Sequence, residues 1–532
     1  MYSLEKMTIG NLFKRNLRLF PEKTIQVLED GKRQTYREID ERTNRLANGL
    51  LSLGLRKGDH VAIMAMNCLE YMEYQLATAK IGIVSVLINH LAPKDRILYM
   101  LENSDSKAII FESRYLNSLL AYRENLLKLK NYIIIRREQE TKNIKDLIDY
   151  EYLIEKSPDT EINADVNIYD PNSIIFTTGT TGHPKAVRKS MAADLYHSIG
   201  SVIYYPNYDA TFKLGLPAYT HLVSLLVPPQ FHLGGQAVTL RPLILPGTIV
   251  LMSTFDPENF LRLIDREKIN TSWVQPAMLY KIKNLPDEII TKYDRSSLIT
   301  IICGSTSLKE KERKALESFF FNARLGSCYA ATEFGIVSYV TSEELTATRP
   351  ENLGLPVFSA DIKIAGKDGA ELPRNEIGEI WVRSPALPIN CEYYKDEEST
   401  EKGFKDGWAI VGDMGWQDEK GYIYYYGRSD DIIMTGGEKV SPLSIEEVIQ
   451  QNQKVDTVVV IGMPDEKWQE AVTAAVIPIK GTNLSQQEIM DFCRGKVANY
   501  EIPKKVYIVN ELPIGPTGKL DRKALKKILL QK

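Results

Sequence analysis

Hydrophobic and polar positions change their period several times along the chain. His60 to Met66 is a nearly unbroken apolar run of strand length, Glu70 to Lys80 interleaves apolar and polar side chains over a helical length, and Ile83 to Ile88 is rich in β-branched residues. This strand–helix–strand succession, continued over most of the chain, predicts an α/β architecture with substantial parallel sheet. Near the N-terminus, Leu12, Phe13, Leu17 and Phe20 fall among Lys14, Arg15 and Arg18. That mixture predicts a surface helix and not a leader peptide, which needs a continuous apolar segment. Between Asp361 and Gly427 the pattern shortens to brief strands parted by turns such as Lys367-Asp368-Gly369 and Glu419-Lys420-Gly421, predicting an antiparallel or barrel-like unit. After Asp431 a small α+β domain is predicted. Ser444 with Glu447 and Ser485 with Glu488 read as capping boxes. A last helix is expected from Asp521, with Lys526, Lys527 and Lys532 near its negative end.

Length and composition narrow the class. At 532 residues the chain has room for roughly three to four core-forming units. With 44% hydrophobic and 25% charged residues it is globular in composition, and a net charge of −3 argues against a general electrostatic nucleic-acid binder. Stretches such as Ile81 to Ile88 and Val458 to Met463 are far shorter than a membrane-spanning helix requires. The five cysteines, Cys68, Cys303, Cys328, Cys391 and Cys493, are scattered with no C-x-x-C pair. A reducing, cytoplasmic setting is expected, without a structural zinc site.

One segment carries the strongest chemical signal. In Ser173-Ile174-Ile175-Phe176-Thr177-Thr178-Gly179-Thr180-Thr181-Gly182-His183-Pro184-Lys185 a β-branched run enters a loop in which glycines allow close backbone approach, and four threonine hydroxyls and a lysine supply donors. The combination suits a polyphosphate. It is not the G-x-x-x-x-G-K-[ST] loop, because its glycines are three apart and the lysine does not follow the second. On its own it also reads as a polar surface hairpin.

This loop resembles the phosphate-binding signature of the adenylate-forming superfamily: acyl- and aryl-CoA ligases, peptide-synthetase adenylation domains and beetle luciferases. Ala186 departs from the family's usual glycine after the lysine. Other family motifs follow in order. Tyr329-Ala330-Ala331-Thr332-Glu333 is similar to Y-G-x-T-E, with Ala330 in place of glycine. The resemblance implies that Tyr329 stacks on adenine, Thr332 meets the α-phosphate and Glu333 helps hold Mg2+, a hard cation that takes oxygen ligands. Cys303-Gly304-Ser305-Thr306-Ser307 resembles the small-residue turn beside adenine and the acyl pocket. Val411-Gly412-Asp413 resembles T-G-D, which implies that Asp413 accepts from the ribose hydroxyls.

Gly427-Arg428-Ser429-Asp430-Asp431 resembles the G-R-x-D-D run, giving Arg428 a ribose or phosphate contact and Asp430 the hinge. Lys439 matches a position that is basic in many members. Pro513-Ile514-Gly515-Pro516-Thr517-Gly518-Lys519-Leu520-Asp521-Arg522 is similar to P-x-x-x-x-G-K-x-x-R, giving Lys519 the role of stabilising charge during adenylation. Pro229-Gln230-Phe231-His232-Leu233-Gly234-Gly235 resembles P-L-x-H-x-x-G, where His232 positions the acid or gates the thiol tunnel; read alone, such a histidine is a satisfied core residue. No aspartate stands at Phe231-His232 to pair with an ammonium group, which disfavours α-amino acids.

The implied fold is α/β, a large N-terminal domain of two α/β subdomains plus a β-barrel over residues 1–427 and a small mobile α+β domain over 428–532. The implied function is ATP-dependent activation of a small-molecule carboxylic acid to an acyl-adenylate, then thioester formation with coenzyme A. The alternatives are a stand-alone enzyme loading a carrier-protein phosphopantetheine, a luciferase-like oxygenase, and a non-catalytic nucleotide-binding protein. Coenzyme A leads because the chain ends soon after Arg522.

Overall fold

The computed structural model describes residues 3–137, 146–177, 183–203, 222–303, 310–384, 387, 391–513 and 520–531. The fold is mixed α/β, with a large N-terminal part and a smaller C-terminal one. Two compact units divide it, one of residues 1–362 with 382–409 and the other of residues 363–381 with 410–532.

The first unit contains two sheets. In one, strands Pro171–Phe176, Val84–Leu87, His60–Met64, Ala108–Glu112, Asn131–Ile135 and Leu147–Asp149 lie side by side in parallel, and Ala186–Ser190 then Glu392–Tyr393 extend one edge antiparallel. In the other, Thr24–Leu28, Gly247–Leu251, Leu222–Leu226, Thr271–Val274, Thr300–Cys303 and Arg324–Ala331 run parallel, and Gly335–Thr341 and Asn352–Pro356 continue antiparallel. The interiors of His60–Met64, Ala108–Glu112 and Asn131–Ile135 are continuous, buried apolar runs because parallel strands are covered on both faces.

Two helices, Leu69–Ile81 and Leu233–Ile244, are buried along their whole length, as expected of helices lacking one apolar stripe. Met72 and Leu76 of the first share an apolar cluster with Leu243, Ile249 and Leu251. The charged side chains of Leu69–Ile81 are buried with partners: Glu70 with Arg137 at 2.8 Å, Glu73 with Arg42 at 2.6 Å and Lys80 with Asp40 at 2.7 Å. Each pairing offsets the large cost of an isolated buried charge.

The short-strand region is antiparallel as its turns predict, with Trp408–Gln417 pairing Ile423–Arg428. No closed ring of strands is found among the described residues. The second unit continues with hairpin Ile433–Thr435/Glu438–Val440, strands Val455–Asp465, Gln469–Pro478 and Lys505–Ile508, and helices Pro442–Gln450, Gln486–Cys493 and Arg522–Leu530. Val458 and Val460 point into one apolar cluster with Ile445 and Ile489, while Val459 and Ile461 meet Leu525 and Leu529 on the other face. Thus the Val458–Met463 run is a strand buried on both sides.

Ser485 and Glu488 form a capping box, and Asp521 caps the last helix through Ala524 N–H. The Ser444–Glu447 box is corrected. Pro442, whose fixed φ suits the first helical turn, starts the helix earlier, and Ser444 Oγ donates from inside it to the Ser441 carbonyl at 2.9 Å.

Candidate active site

The phosphate-loop motif begins where strand Pro171–Phe176 ends. Thr177 N–H donates to the Lys185 carbonyl at 2.9 Å, tying together the two ends of the loop. Thr178, Gly179, Thr180, Thr181 and Gly182 lie outside the described residues. His183 stacks on Tyr99 with centroids 4.2 Å apart. Ala186 opens the returning strand in register with Phe176, an extended position that alanine fills as readily as glycine. The Lys185 ammonium stands 4.7 Å from the centroid of the Tyr393 ring.

The second motif lies at a hairpin. Strand Arg324–Ala331 turns through Thr332, Glu333 and Phe334 into Gly335–Thr341, and Gly335 takes φ +74° at the corner. A side chain there would be strained and would crowd His197 Nδ1 at 3.2 Å. The register shifts between Tyr329 and Ala330, a bulge of the kind that re-aims side chains. Tyr329 is buried against Phe334, and Thr332 is half-buried. The Glu333 carboxylate, 7% exposed, accepts from Tyr393 Oη at 2.8 Å. The Cys391 thiol, pushed up to about 12 by burial, stays protonated and donates to the Glu333 carbonyl at 3.3 Å.

Lys185 and Glu333, from motifs about 150 residues apart in sequence, are therefore both joined to one tyrosine. Sequence reading did not single out Tyr393. Its available signal is the doublet Tyr393-Tyr394, one residue short of Asp396, which caps helix Glu397–Gly403.

His232 is exposed. It caps helix Leu233–Ile244, with Nδ1 accepting from Gly234 N–H at 3.4 Å. The core-histidine alternative is thereby corrected. Gln230, which stands where the family has leucine, is buried: Oε1 accepts from Cys68 N–H at 2.8 Å and its own N–H donates to Asn67 Oδ1 at 2.8 Å. Gly235 is required by packing, since a Cβ would lie 2.0 Å from the Pro229 carbonyl oxygen. Gly304, Ser305 and Thr306 lie outside the described residues; the strand leading to them, Thr300–Cys303, ends in register with Val274 and Ser327. The phosphate loop and the small-residue turn thus both follow the carboxyl ends of parallel strands, where open α/β sheets bind ligands.

In the second unit, Asp413 is buried and pairs with Arg428 at 2.9 Å. Asp430 is exposed, as is Lys439 on the hairpin whose turn is made by Gly436 and Gly437 at φ +61° and +89°. Burial raises the Asp431 carboxyl against the opposing pull of Arg522. Arg522 forks onto Glu446 at 2.6 and 3.0 Å. Lys519 lies outside the described residues.

A sequence profile of the AMP-binding enzyme matches residues 13–388, and one of the AMP-binding enzyme C-terminal domain matches 444–519. The chain belongs to the AMP-binding enzyme family. Relatives include a long-chain-fatty-acid–CoA ligase of Mycobacterium tuberculosis, 29% identical with 93% of each chain covered. A 2-succinylbenzoate–CoA ligase of Oceanobacillus iheyensis is 28% identical over 96% of this chain and 97% of its own. Among solved structures, a fatty acyl CoA synthetase of Mycobacterium tuberculosis superposes with a TM-score of 0.75 at 26% identity, covering 98% of both chains.

The donors of this AMP-binding enzyme fit its nucleotide and metal. Glu333 is a single buried carboxylate, and among the described residues no cluster of three or more His, Cys, Asp or Glu could hold a metal. A lone carboxylate suits Mg2+ that arrives on phosphate oxygens and keeps part of its water shell. No helix among the described residues is long and apolar enough to cross a membrane.

Proposed function

We propose that this AMP-binding enzyme is an acid–thiol ligase that activates a carboxylic acid with ATP and passes the acyl group to coenzyme A. The observation that carries the reading is the convergence of Lys185 and Glu333 on Tyr393, which sets a cation and a carboxylate for one polyphosphate. Relatives named as CoA ligases, aligned over more than nine-tenths of both chains, support coenzyme A as the acceptor. The five free cysteines suit a reducing, cytoplasmic setting.

In the first half-reaction a carboxylate oxygen attacks the α-phosphorus. The bond to the β-phosphate breaks, and pyrophosphate leaves with the electron pair. Lys185, with the loop Thr177 to Gly182, binds the phosphates; Thr332 donates to the α-phosphate; Lys519 stabilises charge on the carboxylate and the α-phosphate. Tyr329, with Gly304, Ser305 and Thr306, lines the adenine, and Asp413 and Arg428 take the ribose. Glu333 would hold Mg2+, which when bound would neutralise developing phosphate charge. In the second half-reaction the thiol sulfur attacks the acyl carbon, AMP leaves and the thiol proton is lost to solvent. His232 orients the acid or gates the thiol path. Asp430 is the hinge about which residues 428–532 turn between the two steps, with Lys439 acting in one of them.

The test is pyrophosphate release from Mg·ATP with a panel of fatty, aryl and amino acids, offered coenzyme A, a carrier-protein phosphopantetheine or neither. Acid-dependent release accelerated by coenzyme A is expected. Acceleration by the carrier alone replaces coenzyme A with the carrier, and silence across the panel removes the ligase reading.

A further inference from the structure

We infer that Tyr393 is a positioning residue for adenylation, holding the carboxylate of Glu333 and the ammonium of Lys185 in their separate places. The inference rests on the adenylation reading above. It begins with the edge of the first sheet, where Glu392–Tyr393 pairs antiparallel with Ala186–Ser190, Tyr393 opposite Val187 and Glu392 opposite Arg188. That register places Tyr393 beside the root of the phosphate loop. The segment is fastened on both sides of the tyrosine. Arg188 pairs with Glu392 at 2.7 Å, Tyr394 N–H donates to the Ala186 carbonyl at 2.7 Å, and Tyr394 Oη donates to Asp105 Oδ2 at 3.0 Å.

The ring itself has little freedom. Tyr393 is 6% exposed, its N–H donates to Thr400 Oγ1 at 3.0 Å, and Phe404 packs against it with centroids 5.4 Å apart. Gly403 leaves the room that the ring fills: a Cβ there would stand 2.7 Å from Tyr393 Cε2. So held, one side chain presents two different groups. Its hydroxyl donates to Glu333 Oε1 at 2.8 Å, and its face carries Lys185 Nζ at 4.7 Å. A lysine and a glutamate brought to one small site attract each other, and a direct ion pair would turn both away from an incoming substrate. Tyr393 gives each a neutral partner instead: the negative face of an aromatic ring for the ammonium, a hydroxyl donor for the carboxylate. Groups that fix the orientation of a metal-binding carboxylate commonly set its metal affinity. Tyr393 touches no reacting atom, so its effect passes through Glu333 and Lys185.

The hydroxyl and the ring can be tested separately. Tyr393→Phe keeps the ring in its slot and removes the donor to Glu333. Titration of Mn2+ onto the whole protein with an α,β-methylene ATP analogue, read by electron paramagnetic resonance, is expected to show affinity weakened about tenfold. The Mg2+ concentration for half-maximal pyrophosphate release should rise by the same factor, with kcat at saturating Mg2+ kept within about threefold. In a Glu333→Gln background, Tyr393→Phe should change Mn2+ affinity by less than about twofold, because the group it acts through is gone. Tyr393→Leu removes the ring as well, and should add a loss of about two- to fivefold in analogue affinity at fixed metal. Wild-type Mn2+ affinity in Tyr393→Phe overturns the inference, as does a kcat loss with unmoved metal dependence. The Mn2+ titration needs no acid substrate, so it stands apart from the pyrophosphate test of the ligase reading.

Discussion

Asp413 and Arg428 oppose each other across antiparallel strands, and Arg428 Nη1 donates to Asp413 Oδ1 at 2.9 Å. The aspartate side chain is 10% exposed and the arginine side chain 38%, so the arginine anchors a carboxylate whose orientation is set before a nucleotide arrives. If that carboxylate accepts from the ribose diol, Asp413→Asn lowers kcat/KM for ATP by about 10- to 100-fold, the equivalent of a charged hydrogen bond of about 1.5–3 kcal/mol. With 2′,3′-dideoxy-ATP, which lacks both hydroxyls, variant and wild type should react at similar rates. An equal loss with both nucleotides would assign Asp413 to the fold alone.

Lys519→Ala separates the half-reactions. A preorganised cation stabilising charge in the transition state is worth about 10²- to 10³-fold, so acid-dependent pyrophosphate formation should fall by that factor. Thioester formation from supplied acyl-adenylate and coenzyme A should stay within a fewfold of wild type. Parallel loss in both assays would remove Lys519 from the adenylation step.

Asp430→Pro tests the hinge. Asp430 is exposed, so a change in backbone freedom there disturbs little packing. Proline fixes φ near −65° and narrows the preceding residue as well. One half-reaction should slow at least about tenfold more than the other, as expected when a conformational step between them is hindered. Wild-type rates in both, measured by rapid quench, would move the hinge elsewhere.

The elements legible in the sequence were those whose length and residue propensities agree with their burial. Glu70 to Lys80 lies within helix Leu69–Ile81, and Ile83 to Ile88 contains strand Val84–Leu87, because burial and propensity agree there. Ser444 misled because a proline two residues earlier competes for the helix start, and proline at the first turn outweighs a side-chain cap. The core alternative for His232 failed because apolar neighbours say nothing about which way a cap residue points; its ring turns back to its own helix. At the candidate site, Lys185 and Glu333 were legible as motif residues, whereas Tyr393 was not. Its importance arises from a two-residue edge strand and from the space beside Gly403, both products of long-range packing that no local period encodes. Gln230 likewise becomes intelligible only when Asn67 and Cys68 are brought against it.

His197 makes a pH prediction with a definite sign. It is buried in helix Met191–Ile203, its Nε2 lies 3.1 Å from the Leu233 carbonyl, and burial, reinforced by the nearby Lys189 charge, depresses it from 6.5 to about 3. Nε2 therefore carries the proton and the ring is neutral. His90, depressed to about 4 chiefly by burial, behaves alike. Between these values and 6.5 the unfolded chain binds more protons than the folded one, so stability falls as pH falls through that window. Each histidine should remove about 1 kcal/mol between pH 7 and 5.5, above the range in which ordinary carboxylates titrate. The midpoint of urea unfolding should drop accordingly, and His197→Gln should shrink the drop by that histidine's own share of about 1 kcal/mol whatever it does to stability at pH 7, leaving the shares of His90 and of His60, which burial also lowers. An unchanged pH slope in that variant would show that His197 titrates in the folded protein as it does in the unfolded chain, and the effect assigned to its burial would be withdrawn.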